Sequence, residues 1–317
     1  MAAFVAHLER AGRLSPRTIQ AYRADLVQFA RFLHASLRGD APSISRIDPP
    51  AVVGFAAELR DRGQAPATVR RKVAAVRALC GYLVDLGILD HNPARGPGVA
   101  SAPCGEAAPV RSDGLSLAQI QAALDLLPGT GFADSRDRAI LEVLYGSGLR
   151  LEELVALNLS ALDLEDATLR VTSPRGASRS VPLGPQAAAA LGRYLLRRAE
   201  SLIDRPMAQL EAGALFVGAR GRRLHRRAVQ RAVRRHLDEA GEALARQGVA
   251  VAVAGEGVQG PGPRALRQAF ASHLLEAGAD AAAVQVLLGQ EAMPKPASAP
   301  RDLESLRQRY ARAHPRA

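Results

Sequence analysis

The sequence predicts a mainly α-helical protein of two domains, with a small β-sheet in the second. Apolar residues recur at helical spacing through most of the 317 residues, and a stretch rich in proline and glycine over residues 92–114 interrupts that pattern. Two short runs of Thr, Leu and Val flank a turn at Pro174, as in a hairpin. We therefore assign residues 1–95 to a helical N-terminal domain, 96–114 to a linker and 115–317 to a mixed α/β domain.

The helices of the first domain follow from their start signals and apolar stripes. Ser15-Pro16 opens a helix, with serine as N-cap and proline at the first helical position. Residues 38–50 contain one glycine and three prolines, which predicts a loop. A second helix follows, and a third is capped by Thr68 and ends near Gly87.

The second domain is predicted to combine helices with one hairpin, whose strands cover residues 168–172 and 180–183. Gly146-Ser147-Gly148 is expected to end a helix, because these residues weaken a helix interior. The predicted helices cover residues 116–127, 134–145, 151–157, 185–200, 225–240, 264–277, 280–288 and 301–313.

The charge of the chain indicates a polyanionic partner, most often a nucleic acid. Lys and Arg number 42 against 31 Asp and Glu, a formal net charge of +11, and both halves of the chain are basic. Only Lys72 and Lys295 are lysine, so 40 of the 42 basic residues are arginine. A genome that favours arginine explains that ratio, but it does not explain the sign of the net charge.

Composition argues against several classes of protein. Aromatic residues make up 4% of the chain and Trp is absent, which argues against stacked aromatic platforms for single strands. No apolar run of about 18 residues predicts a membrane span, and the N-terminus lacks a secretory pattern. Cys80 and Cys104 are too few for a disulfide framework or a zinc site, and Cys80 lies on an apolar helix face. We expect a cytoplasmic protein without metal or cofactor.

Two helices carry the arginine-rich faces that we expect to contact nucleic acid. Residues 220–235 hold eight arginines and no acidic residue, and such a face repels itself unless it meets phosphate. A solvated surface is the alternative, although solvated faces usually mix signs. The expected contacts are Arg70, Arg71, Lys72 and Arg77 in the first domain, and Arg222, Arg223, Arg226, Arg227, Arg231 and Arg234 in the second.

Two further arginines lie where a phosphate could be held. Arg150 follows a glycine turn at a helix start, where the helix amides add positive potential. It could equally be an ordinary surface arginine near Glu153. Arg267 adjoins the apolar stripe of its helix, and a half-buried arginine needs an anionic partner. His273 on the same helix is expected to be a packed residue.

The segments around these arginines, Leu144–Leu157 and Pro263–Asp280, resemble motifs of the tyrosine recombinases, or phage-type integrases, and above all of the bacterial Xer recombinases. Other segments similar to Xer proteins lie in the same order along the chain: Leu14–Leu26, Val69–Pro93, Leu191–Leu237 and Tyr310–Ala317. The resemblance implies a helical core-binding domain and a catalytic-type domain that form a clamp around double-stranded DNA. It also implies metal-free phosphoryl transfer, in which a tyrosine forms a 3′-phosphotyrosyl bond and a 5′-hydroxyl leaves.

The active-site positions implied by the resemblance are only partly retained. Arg150 and Arg267 match the family's two arginines, which stabilise the charge that develops in the transition state. The family's hairpin lysine is absent, and Arg175, the nearest basic residue, stays protonated and is a poor general acid. Arg264 stands where the family has histidine, and Gln290 stands where it has histidine or tryptophan.

The nucleophile is the largest departure from the family pattern. The family's spacing from Arg267 places the tyrosine at Ser298 or Ala299, inside the proline-rich segment 293–300. Tyr310 is the only tyrosine after Arg267, and it fits better as the family's non-catalytic tyrosine of the terminal helix.

These observations leave three hypotheses. The first is a catalytically degenerate recombinase that binds a recombination site. It would pair with an Xer-like recombinase, as a homo- or hetero-oligomer, through the terminal helix 301–313, since family members donate this element to a neighbour. The second is an active recombinase with Tyr310 as a shifted nucleophile. The third is a DNA-binding regulator or architectural protein that does not recombine.

Overall fold

The computed structural model describes residues 1–12, 14–36, 47–95, 114–173, 176–203, 206, 211–249, 261–289 and 303–316. The chain divides into two compact units, Met1–Arg111 and Ser112–Ala317. Almost all of the linker predicted over 96–114 lies outside the described residues.

The first unit is built from helices over its described residues. Ser15 caps the second helix, because its Oγ accepts a hydrogen bond from the amide of Thr18 at 3.1 Å. Cys80 is fully buried, as its place on the apolar stripe predicts. The helices are α1 Ala2–Ala11, α2 Pro16–Ser36, α3 Pro49–Asp61 and α4 Pro66–Asp85.

Two helix starts differ from the sequence-based prediction, and α1 was not predicted. Helix α3 begins at Pro49, inside the predicted loop, because the Asp48 carboxylate caps it by accepting from the Ala51 amide at 2.8 Å. Helix α4 begins at Pro66, so Thr68 lies in its first turn and is not its cap. Proline at the first helical position starts both helices, since its missing N–H needs no partner there.

The second unit combines helices with a three-stranded antiparallel sheet of order β1-β2-β3. Leu169 pairs with Val181, and both side chains are buried in the core. The strands are β1 Leu162–Asp163, which was not predicted, β2 Thr168–Thr172 and β3 Ser178–Pro182. The helices are α5 Leu117–Asp125, α6 Phe132–Ser147, α7 Leu151–Ala156, α8 Pro185–Leu202, α9 Arg226–Arg246, α10 Pro263–Glu276, α11 Ala281–Leu288 and α12 Leu303–Ala313. The predicted fold class, mainly α with a small sheet, is confirmed.

Helix α6 is the central element of the second core, and it is longer than predicted. It continues through Gly146 and Ser147 and ends at Gly148, which adopts the left-handed conformation with φ 58°. A Cβ at Gly148 would lie 2.5 Å from Cδ1 of Phe270. The close approach of α10 therefore requires glycine at this position, which makes the turn before Arg150 part of the core.

The terminal helix α12 packs on its own unit. Leu306, Tyr310 and Ala313 are buried in the core of that unit. Beyond the helix, Arg316 donates Nε and Nη2 to the buried Glu142 carboxylate at 3.1 and 2.6 Å. Within this chain the helix therefore packs against its own unit, and its donation to a neighbour, which the resemblance implies, stays a prediction. Among the described helices, none combines the length and the apolar character that a membrane span requires.

Candidate phosphate site and nucleic-acid interface

Arg150 is held rigidly at the start of α7. Its backbone N–H donates to Oε2 of Glu153 at 2.8 Å, and its Nη1 donates to Oε1 at 2.9 Å. The side chain remains 39% exposed. The acid three residues along the helix therefore orients Arg150 while the guanidinium stays open to a ligand.

Glu153 also binds a second arginine that sequence reasoning did not single out. Arg179 on β3 donates Nη1 and Nη2 to the two carboxylate oxygens of Glu153, at 2.8 and 3.0 Å. The Glu153 side chain is fully buried, which by itself raises its pKa, but hydrogen bonds from Arg179 and from the Arg150 amide hold that pKa below its ordinary value. Glu153 is therefore ionised in the folded protein.

A third arginine, Arg267 on α10, completes the cluster. Its Nη1 donates to the carbonyl of Gly148, and its Nη2 donates to the carbonyl of Leu288 at 2.7 Å. Burial, and then the neighbouring charge of Arg150, lowers the pKa of Arg267 to about 10. Glu153 pairs with Arg150 and Arg179, and Arg267 lies near enough to feel its charge. Three positive charges against one negative therefore leave a local excess of two positive charges.

This excess of charge suits an oxoanion. Arg150 and Arg267 each retain N–H groups that the contacts above do not use, and both side chains are partly exposed. Arginine binds phosphate oxygens through paired, charge-assisted hydrogen bonds. The structure thus brings together the two arginines that the sequence predicts, as a candidate phosphate site.

Arg179 was missed because its position depends on strand pairing. It lies opposite Val171, whose side chain is buried, and two residues before Val181 on the same face of β3. Alternation along the strand was the signal available in the sequence, since residues two apart share one face of a sheet.

Of the three positions that the resemblance marks as substituted, Arg264 is the one that the structure describes. Arg264 is exposed on α10, one turn before Arg267. Arg175 and Gln290 lie outside the described residues. His273 packs against Tyr145, whose hydroxyl lies 2.9 Å from Nδ1 of the histidine, in line with its predicted packing.

Tyr310 lies in the core and not in the arginine cluster. Its side chain is 4% exposed, and burial raises the pKa of its hydroxyl far above the ordinary value. A Cβ at Gly184 would lie 2.8 Å from that hydroxyl, so the oxygen rests against backbone. Within the described residues, no hydrogen bond joins Tyr310 to Arg150 or Arg267.

The arginine-rich helix α9 presents fewer free arginines than its sequence predicts. Arg227 and Arg231 are exposed, and no side-chain partner is present for either within the described part of the chain. Arg226 donates to Glu152 at 2.6 Å, and Arg223 donates to the carbonyls of Val155 and Leu157. Arg222 is exposed and Arg234 is half-buried. The exposed arginines that remain for the expected interface therefore lie in the first two turns of α9 and in the loop before it.

In the first unit, most of the basic residues expected to contact nucleic acid have partners within the protein. Lys72 is buried and donates to Oε1 of Gln28, so it is not available to a phosphate. Arg71 pairs with Asp25, and Arg77 donates Nε to the carbonyl of Ala94 at 3.0 Å. Arg70 remains exposed. Helical periodicity places these side chains near the surface but does not reveal their partners.

Acidic, histidine and cysteine side chains do not form a metal-binding cluster of three or more anywhere in the described ranges.

Two family models match the chain. The model of the phage integrase family matches residues 115–293, and the model of the phage integrase N-terminal SAM-like domain matches residues 1–87. The chain belongs to the phage integrase family. It is an Xer-like tyrosine recombinase by sequence, and the family's role lies in site-specific DNA recombination.

This integrase-family chain is similar to curated recombinases along nearly its whole length. It is 38% identical to the tyrosine recombinase XerC of Chromohalobacter salexigens, over 96% of this chain and 93% of the relative. It is 35% identical to XerC of Pseudomonas fluorescens, over 99% and 96%.

Solved integrase structures share the fold. The Tn1549 transposon integrase in complex with transposon right end DNA has a TM-score of 0.65 at 17% identity, and covers 97% of this chain and 93% of that chain. The XerH recombinase bound to a palindromic difH substrate has a TM-score of 0.62 at 18% identity, over 92% and 75%. Both neighbours are bound to DNA in those structures.

Proposed function

We propose that the chain binds double-stranded DNA at a recombination site and holds a backbone phosphate with Arg150 and Arg267, without cleaving the strand itself. Cleavage needs a phosphate-binding group and a nucleophile at the same place. The observation that carries this proposal is that the arginine cluster and Tyr310 lie apart. The arginines are assembled and open, whereas Tyr310 is buried in the core.

The missing proton-transfer groups support the same conclusion. Cleavage needs a base for the nucleophile and an acid for the leaving oxygen. Neither lysine of the chain lies in the β2–β3 hairpin, and Arg264 cannot replace a histidine as an acid at neutral pH. The arginine pair by itself stabilises a phosphate but supplies no nucleophile.

DNA contacts then come from three sources. The arginine cluster holds one phosphate, Arg227 and Arg231 on α9 contact the backbone next to it, and Arg70 contributes from the first domain. Such contacts give affinity that depends strongly on salt and little on base sequence. A clamp in which both domains contact the duplex belongs to this proposal.

A nicked suicide duplex, which traps a covalent phosphotyrosyl complex when cleavage occurs, tests the proposal. We expect this chain to bind the duplex and form no covalent complex, while an active Xer recombinase run in parallel is trapped. A covalent complex that disappears in Tyr310→Phe would overturn the proposal and establish Tyr310 as the nucleophile.

Partner pairing is tested separately by adding the chain to an active Xer recombinase on its own site. Stimulation or inhibition of recombination, lost in Arg150→Ala/Arg267→Ala, supports a degenerate recombinase that works with a partner. Unchanged recombination supports a DNA-binding regulator or architectural protein instead.

A further inference from the structure

The three arginines of the cluster also donate hydrogen bonds to the backbone carbonyls at the end of α11. Arg179 donates Nε to the carbonyl of Leu287 at 3.1 Å, and Arg267 donates Nη2 to the carbonyl of Leu288 at 2.7 Å. Arg150 donates Nη2 to the carbonyl of Gly289 at 3.2 Å. Three consecutive carbonyls thus each accept a hydrogen bond from a different guanidinium.

The electrostatics of a helix end account for this arrangement. The last carbonyls of a helix have no intrahelical partner, and they form the negative end of its dipole. They offset part of the repulsion among the arginines but carry no full charge, so the excess positive charge of the cluster persists. Their spacing along the backbone also sets the spacing of the three guanidinium groups.

Gly289 is the residue that permits this approach. It adopts φ 60°, and a Cβ there would lie 2.7 Å from Nη1 and 2.8 Å from Cζ of Arg179. A guanidinium held by Glu153 on its other side cannot move away without breaking that ion pair. Any other residue at 289 would therefore displace either α11 or Arg179.

We propose that the end of α11, Leu287–Gly289, is the positioning element of the phosphate site, and that it acts through the main chain. It aligns Arg150 and Arg267 for one phosphate, while Arg179 is a positioning residue that joins α11 to Glu153. The inference rests on the proposed phosphate site and names the backbone segment that positions it.

The test uses duplexes in which one phosphate at a time is replaced by a neutral methylphosphonate. In the unaltered protein, we expect the position that the arginine cluster binds to lower affinity roughly tenfold, because charge-assisted hydrogen bonds to that phosphate are lost. Phosphates bound by α9 give penalties of their own. In Gly289→Ala, we expect the penalty at that position to fall to about twofold or less, while penalties at phosphates bound by α9 persist. A protein that is merely destabilised would show the same change in penalty at every phosphate position.

Gly278→Ala is the matched control. Gly278 follows α10 in the same left-handed region, with φ 82°, but a Cβ there meets nothing within 4 Å. It carries the same backbone strain without the collision, so the position-specific penalty should remain. Equal loss in both variants would show that strain alone is responsible and would overturn the inference.

Arg179→Lys provides a second variant if Gly289→Ala fails to fold. Lysine keeps the charge but lacks the fork that reaches both Glu153 and Leu287, so the same position-specific loss is expected. Retention of the full penalty in either folded variant overturns the role of α11. Absence of any position-specific penalty in the unaltered protein overturns the phosphate site itself, which distinguishes the two failures.

Discussion

At the scale of single residues, the arginine cluster shows what a buried acid contributes to a candidate phosphate site. Arg150 and Arg179 would repel each other strongly without Glu153, whose carboxylate is fully buried between them. One acid against three arginines reduces their mutual repulsion yet leaves an excess of positive charge for the proposed phosphate. Glutamate three residues after Arg150 was visible in the sequence, but its second partner was not.

A histidine in the terminal segment makes stability depend on pH. His314 is buried against Tyr145, Phe270 and Tyr310, and burial lowers its pKa to about 4. The unfolded chain takes up this proton near pH 6.5, so the free energy of unfolding falls as pH drops from 6.5 towards 4. Between pH 7.5 and pH 5, we expect the free energy of unfolding of His314→Gln to fall by about 2 kcal/mol less than that of the unaltered chain.

Urea unfolding of both proteins at the two pH values measures this difference. His91→Gln, at an exposed histidine, is the control and should show the same pH dependence as the unaltered chain. A parallel decline in stability for His314→Gln and the unaltered chain would contradict the prediction.

At the scale of elements, the arginines of α9 and of the loop before it divide into those bound within the protein and those left exposed. Arg223 and Arg226 are held by neighbouring carbonyls and by Glu152, whereas Arg227 and Arg231 lie one turn apart and are exposed. We expect Arg227→Glu/Arg231→Glu to weaken DNA binding and to lower the slope of log affinity against log salt by about 2, since two phosphate contacts are lost.

Fluorescence anisotropy of a labelled duplex over a salt series measures that slope. The control Arg193→Glu/Arg246→Glu changes the net charge equally at exposed arginines of α8 and the far end of α9. If both double variants lower the slope alike, net charge and not the α9 face controls binding.

Local signals located most of the helices, and they failed at particular ends. The start of α4 was misplaced because two residues, Pro66 and Thr68, both favour a helix start. The end of α6 was misplaced because Gly146 and Ser147 stay helical where Ala187 and Tyr310 pack close to them. Only the neighbouring elements decide between such alternatives.

At the scale of the whole molecule, the residues after α12 are bound to the second domain by an ion pair. Arg316 binds the Glu142 carboxylate in the middle of α6, and both side chains are largely buried. Removing one partner of a buried pair leaves an uncompensated charge. We expect Arg316→Ala to lower the free energy of unfolding by about 3 kcal/mol.

Urea denaturation of Arg316→Ala measures this loss, with Arg312→Ala as the control at an exposed arginine of α12. An equally small loss in both variants would show that the tail does not hold the helix in its intramolecular position.

The sequence alone determined the fold class, most helices, the basic charge, and the placement of both lysines outside the β2–β3 hairpin. These properties depend on local propensity and on residue identity. The tertiary structure decided which arginines stay exposed and which are bound within the fold. Arg150 meets Gly289, 139 positions away, Arg179 enters the site through strand pairing, and Lys72 is buried. Periodicity tells where a side chain points, but its partners lie on other elements, and those partners decide whether a charge is neutralised or free.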